Sequence, residues 1–145
     1  MVEKILVVCM GNICRSPTGE FILKHLLPNK IITSAGISAL VNHTADSKAI
    51  LAAKAHSINI EHHKGRQLTQ KLCTGNDLIL VMEKKHIEAV YNIAPESRGR
   101  VMLFGHWLKQ VDIPDPYRKS DEMFELVYGL INDSAHQWAK MLTQK

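Results

Sequence analysis

An apolar run ends in Cys9, and an arginine follows six positions later in Cys9-Met10-Gly11-Asn12-Ile13-Cys14-Arg15-Ser16-Pro17. This is a C(x)5R spacing followed by Ser. A loop of this length that curls into a helix N-terminus can aim successive backbone N–H groups at one point, where the helix dipole favours negative charge. Such a loop cradles an anion. Gly11 can take the positive φ that the curl needs, and Asn12 tolerates the same region while offering a side chain to brace the loop. Arg15 adds a planar fork able to hold two oxygens of a tetrahedral oxyanion.

The features that hold an oxyanion also favour the thiolate of a cysteine at the loop's base, because helix N-termini and neighbouring arginines lower thiol pKa values. A thiolate beneath a bound phosphate is placed for in-line attack, and Ser16 can hydrogen-bond the sulfur and ease its later departure. The chemistry expected is that of a phosphocysteine enzyme. The alternative for the spacing alone is a buried core cysteine at a strand end and an arginine that merely starts a helix. Cleaving a phosphoester also requires a proton for the leaving oxygen, since a phenolate (pKa about 10) leaves poorly at neutral pH. Asp115, in Asp112-Ile113-Pro114-Asp115-Pro116-Tyr117, is the best candidate, because two prolines stiffen the loop that carries it. Asp112 is the competing choice, and an Asp-Pro pair by itself also reads as a turn.

These residues need a scaffold that brings 9–16 and 112–117 to one edge. Lys4 to Val8 is a short β-branched run closed by Gly11-Asn12, the pattern of a buried strand and a turn. Ser16-Pro17 then opens a helix with Phe21, Ile22, Leu26 and Leu27 on one face, Ser16 being the candidate N-cap and Pro17 the first helical residue. Lys30 to Ser34 is a second strand, Asp46 to Ala55 a helix capped by Asp46, and Leu78 to Met82 a third strand. Glu83 to Ile93 is an amphipathic helix stopped by Pro95, and Val101 to Phe104 is a fourth strand. From Ser120, Phe124, Val127, Leu130, Ile131, Trp138 and Met141 recur at helical spacing to the C-terminus, so Trp138 and Met141 are expected in the core. Strands alternating with helices predict an α/β fold: one three-layer, flavodoxin-like domain over residues 1–145, with a four-stranded parallel sheet covered on both faces. Ligands then bind beyond the carboxyl ends of the strands, where the loops after strands one, two (Leu40 to Thr44) and four all lie.

Composition narrows the classes further. The chain has 145 residues, 46% hydrophobic and 22% charged, enough to bury a core without disulfides or structural metal. A formal net charge of +4 suits anionic ligands, but the basic residues are scattered and aromatics make up 6%, so a nucleic-acid interface is not expected. The N-terminal apolar run is too short for a signal peptide or a spanning helix, which predicts a cytoplasmic protein without membrane insertion. Three cysteines without a CxxC argue against a secreted disulfide framework. Cys14 reads either as a thiol able to trap an oxidised Cys9 or as a small packing residue, and Cys73 as core. His62-His63 lacks companion ligands at metal-binding spacings, so no metal is expected and His63 reads as a hydrogen-bonding brace.

Taken together, Cys9 to Pro17, Ser34-Ala35-Gly36, His63 to Thr69, Asp77 to Met82 and Asp115-Pro116-Tyr117 resemble the low-molecular-weight protein tyrosine phosphatases along the whole chain. Asp115 to Ser120 and Phe104 to Trp107 look most like its bacterial branch, which is paired with exopolysaccharide and capsule tyrosine kinases. The resemblance implies that Cys9 attacks phosphorus, that Arg15 and the loop from Met10 to Ser16 (Met10, Gly11, Asn12, Ile13, Cys14, Arg15, Ser16) bind the phosphate oxygens, and that Asp115 donates a proton and then activates water. It implies no cofactor and, as partner, a phosphotyrosine protein such as a tyrosine autokinase; a monomer is expected, though the sequence does not decide whether the chain dimerises. By the same resemblance Asn12 and Ser16 organise the loop, and Leu40 and Tyr117 flank a slot for the phosphoaryl ring. Arg118 stands where animal members carry a second aromatic, and Leu40 lies where many members carry an aromatic wall. Two other readings compete. An arsenate reductase of the same fold would need later cysteines, of which only Cys73 exists; a flavodoxin-like anion-binding module would explain the cradle without Asp115, but lacks G(x)4GK[ST] and GxGxxG.

Overall fold

The computed structural model describes residues 1–144. Four strands, β1 (Lys4–Cys9), β2 (Ile31–Gly36), β3 (Leu78–Val81) and β4 (Val101–Leu103), form one parallel sheet in the order β2-β1-β3-β4. The register sets Val8 beside both Ala35 and Val81, and Cys9 beside Gly36. Helices α1 (Arg15–Leu26), α2 (Ser47–Ala55), α3 (Gln70–Thr74), α4 (Lys84–Ile93) and α5 (Asp121–Thr143) complete the fold, with a 3-10 turn at Pro95–Ser97.

Strand alternation divides the core in two. Ile5, Val7, Leu78, Leu80 and Met82 face one layer and pack with residues of α1, α2 and α5, including Ile22, Leu23, Ala53, Phe124, Ile131 and Trp138. Leu6, Val8, Ile79, Val81 and Leu103 face the other layer, which holds Cys73 of α3 and Val90 of α4. Both faces of the central strands are therefore apolar, which is why these strands read as unbroken hydrophobic runs. The chain leaves β1 toward β2 on one side of the sheet and later returns to β3 on the other. The carboxyl ends of β1 and β3 thus flank the point where strand order reverses, the crevice in which such sheets bind ligands.

Several boundaries differ from those read in the sequence. Helix α1 begins at Arg15 with Cys14 as its N-cap, and no side chain caps it. Ser16 lies inside the first turn because its hydroxyl is engaged by the loop before it. Helix α3 was not expected; five residues span little more than one turn and carry no periodic signal, and Thr69 caps it through Leu72 N. Asp46 and Ser120 do cap α2 and α5, accepting from Lys48 N and Met123 N. Trp138 is buried and donates from Nε1 to Phe104 O at 2.9 Å, whereas Met141 is only half-buried, Ala139 and Leu142 being the residues of that last turn that pack against the core. Among the described residues no helix is long and apolar enough to cross a membrane.

Candidate active site

The loop from Met10 to Cys14 joins β1 to α1, and its carbonyls all turn outward. Ile37 N donates to Cys9 O (3.0 Å), Ser38 N to Met10 O (2.9 Å), Leu40 N to Gly11 O (3.0 Å) and Asp46 N to Ile13 O (2.8 Å). His63 Nε2 donates to Asn12 O at 2.7 Å, and the Thr18 hydroxyl to Cys14 O at 2.8 Å. Because C=O and N–H point oppositely across a trans peptide, anchoring the carbonyls outward turns the amides toward the loop's centre. No amide from Gly11 to Arg15 donates to another protein group among the described residues. The segment after β2, residues 37–46, thus does what the loop's own sequence cannot: it holds the cradle open.

The curl itself is made at Asn12, whose φ of 59° lies in the left-handed region. Gly11, expected to supply that conformation, does not; Gly99 is the only described glycine at positive φ. Asn suits the position because its amide can be paired on both sides. Asn12 Oδ1 accepts from Arg66 N (2.9 Å), while Nδ2 donates to Ser16 Oγ (2.8 Å) and Ser34 Oγ (3.0 Å). Burial lowers the pKa of His63, partly opposed by its bond to Asn12 O, so the neutral ring is favoured with its proton on Nε2.

Cys9 is the last residue of β1 and is buried at the base of the pocket, with Sγ 2.9 Å from Ser16 Oγ. Since Ser16 Oγ accepts from Asn12, its single hydrogen is free for the sulfur. Cys14 is also buried, but its thiol is pushed far above the ordinary range by desolvation first and then by Asp46, which keeps it protonated. Cys73 lies in the opposite layer, separated from the loop by the sheet, and cannot serve as a resolving thiol without unfolding.

Arg15 is 2% exposed. Its Nη1 donates to Glu83 Oε2 (2.6 Å) and to Ile113 O (2.7 Å), and Nη2 lies 3.8 Å from Asp115 Oδ2. With Nη1 tied back, the Nε and Nη2 edge is left to face the cradle, which is the geometry a bidentate oxyanion contact needs. Glu83 was not foreseen as a site residue. It follows β3 at the carboxyl end of the strand, and that placement is the signal that could have found it. Behind it, His86 Nδ1 accepts from Glu83 N (3.2 Å), and burial lowers its pKa, with the Arg15 charge adding to the effect.

Asp115 stands at the mouth, half exposed, with Oδ1 accepting from Tyr117 N (3.0 Å) in a turn that leaves Oδ2 directed to the pocket side. Asp112, the competing acid, is occupied elsewhere: its Oδ1 accepts from Lys84 N at the start of α4 (2.9 Å). A pocket of about 160 Å³ is lined by Cys9, Met10, Gly11, Ile13, Cys14, Arg15, Leu40, Asp115 and Tyr117. Leu40 and Tyr117 are its exposed apolar residues above the loop, and the guanidinium of Arg118 lies 5.2 Å from the Tyr117 ring centre. Of the residues singled out in the sequence, Asn12 and Ser16 are buried behind the loop rather than on the pocket wall.

A narrow, amide-lined cup over a cysteine, with an arginine edge and a carboxyl at the mouth, is suited to a tetrahedral oxyanion on an aryl group. Known proteins agree with that shape. Residues 4–145 match the family described as low molecular weight phosphotyrosine protein phosphatase. The chain is 55% identical over 142 residues to the low molecular weight protein-tyrosine-phosphatase Wzb of Salmonella typhimurium, covering 98% of this chain and 95% of that one. Among solved structures, Vibrio vulnificus Wzb in complex with benzylphosphonate superposes with a TM-score of 0.96 at 55% identity, over 97% of this chain and 99% of that one. The tyrosine phosphatase Wzb of Escherichia coli K30 in complex with sulphate gives a TM-score of 0.96 at 52% identity, over 98% and 99%. On sequence, fold and site alike, the chain belongs to the low-molecular-weight protein-tyrosine-phosphatases, phosphoric monoester hydrolases, and is closely similar there to bacterial members such as Wzb.

Proposed function

We propose that the chain hydrolyses protein phosphotyrosine through a phosphocysteine intermediate, and that its partner is a tyrosine autokinase of exopolysaccharide or capsule assembly. The carrying observation is the union, in one pocket, of inward amides, the Cys9 sulfur, the free edge of Arg15 and the Asp115 carboxyl. Relatives whose solved complexes contain sulphate and benzylphosphonate, a tetrahedral anion and an aryl-methyl phosphonate, support the reading. The partner is the one implied by the resemblance to bacterial members such as Wzb.

In this reading the phosphate oxygens take the loop amides and the Nε and Nη2 edge of Arg15, which leaves phosphorus above Cys9 Sγ. The S–P bond forms as the P–O bond to tyrosine breaks, and Asp115 gives its proton to the departing phenolic oxygen. Asp115, now a carboxylate, takes a proton from a water that attacks phosphorus. The S–P bond breaks, and the Ser16 hydroxyl stabilises the thiolate that leaves. Leu40 and Tyr117 hold the ring while this happens, so that the phosphate of a serine, lacking a ring, would reach the cup without wall contacts.

The test is hydrolysis of aryl phosphates by the reduced protein and two variants, with a chelator present. Cys9→Ser is expected to abolish turnover. Asp115→Asn is expected to lower kcat/KM, which reports the step in which the aryl oxygen leaves, about 10²- to 10⁴-fold for phenyl phosphate, and far less for a nitrophenyl ester whose oxygen leaves without a proton. Turnover that persists in Cys9→Ser, or an Asp115→Asn deficit equal for both esters, would overturn the assignments.

A further inference from the structure

The loop that carries Asp115 is tied firmly on one side and by a single contact on the other. Before Asp115, Ile113 N donates to Met82 O (2.8 Å), Ile113 O accepts from Arg15 Nη1 (2.7 Å), and Asp112 Oδ1 accepts from Lys84 N (2.9 Å). Over residues 114–120, Lys48 is the one side chain from outside the loop that makes a hydrogen bond, among the described residues. It lies in the first turn of α2, and its Nζ donates to Lys119 O at 3.0 Å and sits 3.1 Å from Asp121 Oδ1. We propose that Lys48 is a positioning residue that latches this loop to α2 and so keeps the Asp115 carboxyl over the anion cradle. The inference rests on the reading of Asp115 as the proton donor.

The latch matters because the turn after Asp115 does not hold itself. Residues 116–119 are closed by Lys119 N donating to Pro116 O (2.8 Å), and Arg118 between them is held at φ 62°. A residue with a side chain is strained there and persists only where its surroundings fix it. Tyr117 N, in the same turn, donates to Asp115 Oδ1 (3.0 Å), so the carboxyl moves with the turn. Packing leaves room for that movement: Pro116 is buried, but it borders a cavity of about 10 Å³ between α2 and α5 that Ala49, Ala52 and Phe124 also line. Lys48, by contrast, belongs to the frame that shapes the cradle. Asp46 caps α2 by accepting from Lys48 N (2.9 Å), and Asp46 N donates to Ile13 O (2.8 Å) in the anion loop. The latch therefore fixes proton donor and anion against each other, as transfer to the leaving oxygen requires.

A merely structural Lys48 would staple α2 to α5 through Asp121, an exposed pair of small energetic weight. The leaving group separates the two roles. Lys48→Met removes the donor and keeps an unbranched stem beside Phe124, whose ring centre lies 6.0 Å from Nζ. On protein shown folded by circular dichroism, kcat/KM for phenyl phosphate is expected to fall about three- to tenfold. For a nitrophenyl ester, whose oxygen leaves without a proton, it is expected to stay within about twofold. Competitive inhibition by inorganic phosphate is expected to be unchanged, because the cradle keeps its own anchors. In an Asp115→Asn background Lys48→Met is expected to add nothing, since its influence passes through that carboxyl. Independently of turnover, backbone amide exchange read by mass spectrometry is expected to quicken over 114–120 in Lys48→Met and to stay unchanged over 9–16.

Equal losses for the two esters, no loss for phenyl phosphate, weakened phosphate inhibition, or a full further loss in Asp115→Asn would overturn the proposal, and so would unchanged exchange over 114–120. An ester-selective deficit in Asp115→Asn beside a silent Lys48→Met would sink this proposal alone. Should Asp115→Asn itself affect both esters alike, the proton-donor reading falls, and the latch stands or falls on the exchange of its loop.

Discussion

Gly36 is the point where the second strand touches the cradle. A Cβ placed on it would lie 2.6 Å from Met10 O and 3.0 Å from both Asn12 N and Asn12 Cβ, all within the anion loop. Ordinary carbon–oxygen contact begins well beyond that distance, so Gly36→Ala requires the two backbones to part by roughly half an ångström. Gly36 cannot yield easily, because its N–H donates to Arg66 O and its carbonyl accepts from Leu68 N, both at 2.8 Å. The displacement falls on the loop, whose Met10 carbonyl is anchored to Ser38 N. Overpacking of this kind costs about 1–3 kcal/mol, which for a chain of this size corresponds to a fall in Tm of roughly 2–12 °C. The larger consequence is catalytic, because sites tolerate about 0.5 Å of misplacement and an ångström can cost about 100-fold. We expect kcat for an aryl phosphate to fall roughly 10- to 100-fold, with competitive inhibition by inorganic phosphate weakened in parallel. Gly129→Ala is the control: its Cβ meets nothing within 4 Å, and on α5 the substitution should stabilise by up to about 1 kcal/mol with kcat unchanged. Folded Gly36→Ala protein with kcat within about twofold of wild type would refute the view that this contact holds the cradle's shape, since half an ångström there should be felt.

Two further outcomes can be checked with the same protein. Burial holds the pKa values of His63 and His86 below their usual range, so the unfolded chain binds more protons than the folded one just below about pH 6.5. Their contribution to stability is present above that pH and is lost as pH falls through the window toward their folded values; Tm should drop on acidification, and a His63→Gln, His86→Gln double variant should show a shallower slope. A slope unchanged by the double variant would show that other groups govern it. Arg118, held at φ 62° with its guanidinium near the Tyr117 ring, buttresses one wall of the slot. Contacts of this kind are worth about 0.5–1 kcal/mol at exposed sites, so Arg118→Ala should raise KM about two- to fivefold at nearly constant kcat; a kcat loss with unaltered KM would place Arg118 in the chemistry instead.

What could be read without the structure was local. Cys9, Arg15 and the strand, loop and helix around them lie within about twenty residues, and their placement follows from the period of apolar residues and from Gly, Asn and Pro punctuation. The parallel sheet followed from the alternation of buried runs with helical ones, and the carboxyl-end rule brought Asp115 to the same edge as Cys9. Local rules also misplaced two residues for a shared reason. Ser16 before Pro17 is a good N-cap, and Gly11 is the natural host of a positive φ, yet the fold uses Ser16 to face the sulfur and sets Asn12 at φ 59°. Cys9 and Asn12 within the loop hold the Ser16 hydroxyl, and Arg66 and Ser34, distant in sequence, hold the Asn12 amide; in both cases the partner outweighed a propensity worth about 1 kcal/mol.

Tertiary structure alone decided the rest. The separations of 68 positions from Arg15 to Glu83, 51 from Asn12 to His63 and 98 from Arg15 to Ile113 leave no periodic trace, because a hydrogen bond from a side chain to a group on another element depends on where the sheet order and register bring them. The same is true of Asp115 and Asp112, two acids in one short loop. Only the capping of Lys84 N by Asp112 frees the other for the pocket. Chemistry could therefore be assigned to residue types from the sequence, while the orientation of every donor, the inward amides above all, was settled by carbonyl partners supplied from the neighbouring loop.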